Sequence, residues 1–225
     1  MKHITAGSIL ATPAIVLTLL SIISPAGSAP KPSEVPTSWE LDIDVQGPRP
    51  IEVTLPGATN PERFWYLRYT VSNRTGADRI FVPESVLYTD TGQVIQAGRK
   101  VPTTVFKAIK KRYNDPLLLD MTGVTGKLLQ GEDNAKNGVA IWGDFDPKAG
   151  SFDIFIGGLS GETVEVKLPR PIVVSETDAT GKTQQVTKTK VVLAKTMCLT
   201  YAVVGEAAAR RDTRVKQVAS KWVMR

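Results

Sequence analysis

The stretch that decides the fold is Phe64-Trp65-Tyr66-Leu67-Arg68-Tyr69-Thr70-Val71-Ser72-Asn73, a run dense in aromatic and β-branched side chains. Such residues favour a pleated strand over a helix. Successive side chains of a strand point to opposite faces, so the aromatic rings of this run populate both faces. We expect one of these faces to pack in a core and the other to make cross-strand pairs.

Alternating patterns on either side of this run predict further strands. Trp39, Leu41, Ile43 and Val45 alternate with acidic residues, and the alternation resumes at Ile51 after a break at residues 47–50. Residues 131–138 are polar and are expected to form a loop. The other predicted strands lie at residues 80–82, 86–89, 94–95, 139–142, 152–156, 164–168, 172–174 and from about 183 towards 204. Turn signals separate these segments, which predicts a mainly β, antiparallel immunoglobulin-like β-sandwich.

A family resemblance supports the same fold class. It is carried by Tyr69-Thr70-Val71-Ser72-Asn73-Arg74-Thr75-Gly76 and continues through Pro83, Leu87, Asp90, Gly92 and Val94. This pattern is similar to one in immunoglobulin-like modules of bacterial exported proteins of unknown function. In those modules a Y-x-V-x-N strand pairs with a strand that ends in a D-x-G hairpin. The resemblance covers about residues 64–96 and implies a β-sandwich; it contains no catalytic motif.

The N-terminal region is typical of a secretory signal peptide. Lys2 precedes an apolar run from Ile9 to Ile23, small residues follow at positions 24–29, and no acidic residue occurs before Glu34. The apolar run suits a signal peptide and is short for a membrane span. An uncleaved anchor stays as the alternative. We predict a signal peptide at 1–28, a proline-rich and poorly ordered linker at 29–38, a β-sandwich domain at 39–204, a basic C-terminal tail at 205–225, and export to the periplasm, cell envelope or medium.

One amphipathic helix is predicted from Thr103 to Tyr113. Val105, Ile109 and Tyr113 recur at helical spacing, and Asn114-Asp115-Pro116 ends the pattern. Residues 99–112 contain six basic residues and no acidic one, and residues 205–225 contain six basic and two acidic residues. Such segments are typical of solvated surfaces and can also bind acidic partners. The candidate partner-binding basic patch therefore consists of Lys107, Lys110, Lys111, Arg112, Arg210, Arg211 and Arg214.

The residue inventory excludes several chemistries. His3, within the predicted signal peptide, is the only histidine, and Cys198 is the only cysteine. Removal of the signal peptide thus removes the base of Ser-His-Asp and Cys-His systems, together with histidine-ligated metals. One cysteine supplies neither a disulfide within the chain nor a cysteine-rich metal site. We predict no catalytic residues, no metal and no cofactor.

Three local patterns imitate functional motifs. Asp144, Asp146 and Asp153 could supply oxygen ligands to calcium, although their spacing is not that of an EF-hand and an exposed turn explains them. Ser160 follows a glycine-rich string that lacks the second glycine of a nucleophile elbow. Asn73-Arg74-Thr75 is a glycosylation sequon on a predicted turn. A Ser/Lys pair or a carboxylate pair stays open as an enzymatic alternative.

These observations favour an exported, non-enzymatic binding or structural protein associated with the envelope. Its expected partner is an acidic envelope polymer or another exported protein, and no transmembrane helix is expected after signal cleavage. Nucleic-acid binding is disfavoured by export and by the acidic remainder of the chain. The alternatives are an exported hydrolase and a protein inhibitor or accessory chaperone. An unpaired edge strand would be the sign of the latter class.

Overall fold

The computed structural model describes residues 29–177, 181–203 and 215–225, and the protein is mainly β with antiparallel sheets. The predicted signal peptide at 1–28 lies outside the described residues. The elements in chain order are β1 Asp42–Val53, β2 Glu62–Asn73, β3 Arg79–Phe81, β4 Glu84–Thr89, β5 Val94–Gln96, α1 Thr103–Tyr113, α2 Met121–Val124, β6 Gly126–Leu128, β7 Gly131–Gly143, β8 Ser151–Gly157, β9 Thr163–Thr177, β10 Thr183–Val203 and β11 Val215–Met224.

The strands form two main sheets and one small one. The three-stranded sheet has the order β1-β2-β7. The six-stranded sheet has the order β11-β10-β8-β4-β5, and β9 also pairs with β10. β8 pairs with β10 along residues 197–202, whereas β9 pairs with it along residues 183–194. β3 and β6 form a separate pair. The long β9–β10 hairpin therefore extends past the part of β10 that lies between β8 and β11.

β2 packs in a core with one face, as its sequence predicted, and its other face is buried as well. Trp65, Leu67 and Tyr69 pack against side chains of the six-stranded sheet such as Phe152 and Ile154. On the opposite face, buried side chains of β2 and β7 pack under the helix α1, in a second cluster that contains Phe64, Tyr66, Val105, Ile109, Leu118, Val139 and Ile141. The result is three layers: helix, three-stranded sheet and six-stranded sheet.

The edge strand β1 continues through the segment that was expected to break it. Its pairing with β2 shifts register between Gln46 and Arg49, and Pro48 is buried there. A β-bulge at a sheet edge accommodates a glycine and a proline without ending the strand. The prediction of a break at residues 47–50 was therefore wrong.

Further differences concern segments with weak sequence signals. Residues 131–138, expected to be a loop, belong to β7, whose pairing with β2 moves from Lys136 opposite Val71 to Gly131 opposite Asn73. A second helix, α2, is one turn long and is capped by the Asp120 side chain. The segment from 215 to 224 lies in the predicted basic tail, where the spacing of Val215, Val218 and Trp222 left helix and extended chain open, and it is a strand paired with β10. No helix among the described residues is long and apolar enough to span a membrane.

Candidate functional site

The helix α1 lies where the sequence predicted it, with the predicted bounds Thr103–Tyr113. Val105 and Ile109 are fully buried and fix its inner face on the three-stranded sheet. Asn114 ends it in the left-handed conformation, with φ 48° and ψ 39°, and its N–H donates to the carbonyl of Lys111. Lys110, Lys111 and Arg112 occupy the last turn, where positive charge interacts favourably with the helix dipole.

Two of the four predicted helix cations hold the helix in place. The ammonium of Lys110 donates to the carbonyl of Leu118 at 3.1 Å and lies 5.8 Å from the ring of Phe106. The guanidinium of Arg112 donates to the carbonyl of Pro50 on β1 at 3.4 Å. These contacts connect the helix to its neighbours, so both residues help to hold the helix in position.

The end of the helix is also anchored by an aromatic and charged contact that the sequence did not reveal. The hydroxyls of Tyr66 and Tyr113 are hydrogen-bonded at 2.9 Å. Burial, reinforced by this bond, raises the pKa of Tyr66 to about 12, although nearby Arg112 and Arg49 oppose the rise. The guanidinium of Arg68 stacks 3.8 Å from the ring centre of Tyr113. The helix is thus rigidly positioned at its C-terminal end.

Lys107 and Lys111 are the two helix cations whose charged groups are accessible to a partner. Both are exposed, and within the described part of the chain neither side chain has a hydrogen bond or an ion pair. They border an open depression of about 490 Å³ lined by Lys107, Lys110, Lys111, Asn114, Asp115 and Pro116. Asp115 is its one acidic residue, and it is engaged 3.7 Å from Arg68. We call this area the basic helix surface.

The remaining predicted patch residues, Arg210, Arg211 and Arg214, lie outside the described residues. The structure adds Arg49, an exposed cation on β1 whose charge reaches Tyr66 beside Arg112. Arg49 sits in a segment that looked like a strand break, so nothing in its local sequence connected it with the helix. The bulge of β1 brings it there.

A second cluster of charged groups surrounds Lys195, which is 2% exposed. Its ammonium contacts the carboxylate of Glu40, lies 3.2 Å from a carboxylate oxygen of Glu162, and donates to the carbonyl of Ser33 at 3.2 Å. The N–H of Ser33 donates to the other oxygen of Glu162 at 2.8 Å. Ser33 belongs to the segment predicted to be a poorly ordered linker. The cluster connects Ser33 to the sheet through these two hydrogen bonds.

The protonation states in this cluster are those of an ion pair. Burial lowers the pKa of Lys195, but the hydrogen bonds and charges of Glu40 and Glu162 outweigh this and raise it above its ordinary value. The N–H of Ser33, followed by Lys195, holds the pKa of Glu162 below its ordinary value. The hydroxyl of nearby Ser160 accepts a hydrogen bond from the N–H of Glu162 at 3.1 Å. A charged lysine held by two carboxylates is not poised to deprotonate Ser160.

The three candidate calcium ligands have separate partners. Asp144 accepts from the indole N–H of Trp65 at 2.9 Å, and Asp146 accepts from the N–H of Lys148 at 2.8 Å. Asp153 accepts from the hydroxyl of Thr200 at 2.6 Å. Among the described residues no three histidine, cysteine or acidic side chains converge as a metal site would require. Each of these aspartates therefore has a local structural role.

The side chain of Asn73 in the glycosylation sequon is fully buried. Its amide nitrogen donates to the carbonyls of Ala77 and Leu128 at 3.0 and 2.9 Å. Glycosylation of this nitrogen in the folded protein would replace one of its two donated hydrogens and would require space for a sugar at a fully buried position.

Searches against known proteins give no relative. No protein-family model, curated protein or solved structure matches the chain.

Proposed function

We propose that this is an exported, non-enzymatic protein of the cell envelope, and that it binds an acidic envelope polymer through the basic helix surface. The observation that carries the proposal is that only some of the helix cations are used in contacts within the protein. Lys110 and Arg112 bond to backbone carbonyls, whereas Lys107 and Lys111 project into solvent beside an open depression. Cations that lack a hydrogen bond or ion pair among the described residues, on a rigid helix, suit a flexible polyanion.

Three further features belong to this proposal. Export rests on the signal-like residues 1–28. An immunoglobulin-like arrangement is supported by the face-to-face packing of two antiparallel sheets, although β2 and β4, which the pattern at residues 64–96 would pair, lie in different sheets. The absence of enzymatic activity is supported by the lack of histidine after residue 3, and by the pairing of Lys195 with carboxylates rather than with Ser160.

The proposal is tested by capture of envelope material on immobilised protein. The chain without residues 1–28 is compared with its Lys107→Glu/Lys111→Glu variant, which leaves the contacts of Lys110 and Arg112 intact. The control, Lys148→Glu/Lys216→Glu, makes the same change of charge at two other exposed lysines. We expect uronic acid or phosphate polymer to be retained by the wild type and the control but not by the helix variant. Equal retention by all three would rule out the basic helix surface.

A further inference from the structure

The hairpin of β9 and β10 forms an arm whose outer part has only two strands. β11 and β8 pair with β10 along residues 195–203 and 197–202, whereas the strand partner of residues 183–193 of β10 is β9. We call residues 163–177 and 181–194 the β-arm. None of its described side chains is buried, and Val173 and Val192 are 62% and 66% exposed. A two-stranded ribbon of this kind is marginally stable by itself, and a third strand would stabilise it.

The two edges of the β-arm differ in their capacity to pair. On β9, Pro169 and Pro171 lack an N–H and lie opposite the register shift between Lys188 and Lys190 of β10. Prolines at such positions prevent the addition of another strand. The facing segment of β10, Thr183–Leu193, contains neither proline nor glycine. The open edge of the arm is therefore that of β10.

The direction of the open backbone groups follows from the hydrogen bonds at the base of the arm. The N–H and C=O of Ala194 both bond to Arg225, at 2.8 and 3.1 Å, on the side away from β9. The backbone N–H of Lys195 donates in the opposite direction, to the carbonyl of Glu162. Alternate residues of a strand point to the same edge, so the peptide groups of Lys190 and Val192 face the same side as Ala194. Among the described residues they have no partner there.

The charge of the β-arm indicates which strand would fit this edge. By sequence, residues 163–194 contain five basic residues, Lys167, Arg170, Lys182, Lys188 and Lys190, and three acidic residues, Glu165, Glu176 and Asp178. Lys190 is about half exposed although it lies 2.7 Å from Glu165. The same edge of a second copy would bring the lysines of two arms together, and like charges across a strand pair are destabilising. An acidic strand would form opposite-charge pairs instead.

We propose that the open edge of β10 around Lys190 and Val192, residues 189–193, binds an extended acidic segment of another protein by strand addition. The segment lies beside β10 on the side away from β9, its backbone bonds to Lys190 and Val192, and its carboxylates lie beside Lys190. This function uses a surface distinct from the basic helix surface and goes beyond polymer binding.

The test uses a synthetic peptide of about eight residues in which threonine alternates with glutamate, enough to span the open edge. Binding to the chain without residues 1–28 is measured by isothermal titration calorimetry and by amide hydrogen exchange. On binding, the amides of Lys190 and Val192 should exchange at least tenfold more slowly. Those of Val191 and Leu193 already bond to β9 and should not change.

Two matched variants identify the edge. Val192→Pro removes an N–H from the open edge at an exposed position and should weaken binding at least tenfold. Lys167→Pro removes an N–H from the opposite edge of the arm and should bind within about threefold of the wild type, even though it loses a positive charge. Lys107→Glu/Lys111→Glu should bind the peptide normally, which separates this site from the proposed polymer site.

A peptide N-methylated at every residue, which has no N–H on either edge, tests the backbone contact without any change to the protein, and it should not bind. The proposal is overturned by no binding of the unmodified peptide, by equal binding to Val192→Pro, or by equal binding of the N-methylated peptide. It is also overturned if the free protein sediments as a dimer with Lys190 and Val192 already protected, since the edge would then be occupied by a second copy.

Discussion

Lys195 shows what a single residue contributes to this fold and why its role was not predictable. In sequence it is one lysine in a strand-like run, and its partners Ser33, Glu40 and Glu162 lie in three distant segments. No local pattern connects them. Val105 and Ile109, in contrast, were recognised as core residues because their helical spacing is local.

Replacement of Lys195 by methionine should be strongly destabilising. It leaves Glu40 and Glu162 without their counter-charge in a site where the lysine is 2% exposed. Loss of one partner from a buried ion pair costs about 3 kcal/mol. Lys190→Met is the matched control on the same strand, where an exposed pair contributes about 0.5 kcal/mol. Urea denaturation measures both, and similar losses for the two variants would contradict the account of the cluster.

The same cluster predicts how stability varies with pH. The pKa of Glu162 is lowered on folding, so its contribution is present above the ordinary value of 4.5 and is lost as the pH falls through the folded-state pKa. The pKa of Lys195 is raised, so its contribution is present below 10.5 and is lost as the pH rises through the folded-state pKa. Thermal denaturation from pH 3 to 5 should show that the melting temperature falls less steeply with decreasing pH for Glu162→Gln than for the wild type. The same pH dependence of the melting temperature for both proteins would show that Glu162 does not cause the loss of stability in acid.

At the scale of elements, helices and strands with a strong local pattern were predicted correctly, whereas polar or mixed segments were not. The bounds of α1 were predicted correctly, and β2 extends two residues before the predicted start. The first half of β7 was assigned to a loop because it is polar, and only its pairing with β2 makes it a strand. Likewise, Val215, Val218 and Trp222 suit a helix by spacing, but the segment forms a strand because its backbone pairs with β10.

Gly138 of β7 tests the close contact between two of these strands. A Cβ at this position would overlap the ring of Tyr69 on β2, which is buried in the main core. Gly138→Ala should therefore lower the free energy of unfolding by about 2 kcal/mol, as overpacking does. Gly143→Ala, on the same strand, has open space around the added carbon and should change it by less than about 0.5 kcal/mol. Equal effects of the two substitutions would show that the ring moves freely.

At the scale of the whole molecule, the sequence predicted the mainly β class and one helix with a basic outer face. It did not predict that β7 and β8 belong to different sheets, or that α1 covers the second face of β2. Both depend on long-range pairing, which leaves no local periodicity. The layered packing is what turns α1 outward and leaves Lys107 and Lys111 exposed.

The most direct measurement of the central claim is the affinity of the purified protein for a defined polyanion, such as labelled polygalacturonate, by fluorescence anisotropy. Each lysine beside an anionic surface contributes about 1 kcal/mol, so the loss of two lysines, with repulsion by the new glutamates added, should make Lys107→Glu/Lys111→Glu bind at least about thirtyfold more weakly. The control Lys148→Glu/Lys216→Glu should stay within about twofold of the wild type, and added salt should weaken wild-type binding. Equal weakening of both variants, or no binding by the wild type, would contradict a specific site on the basic helix surface.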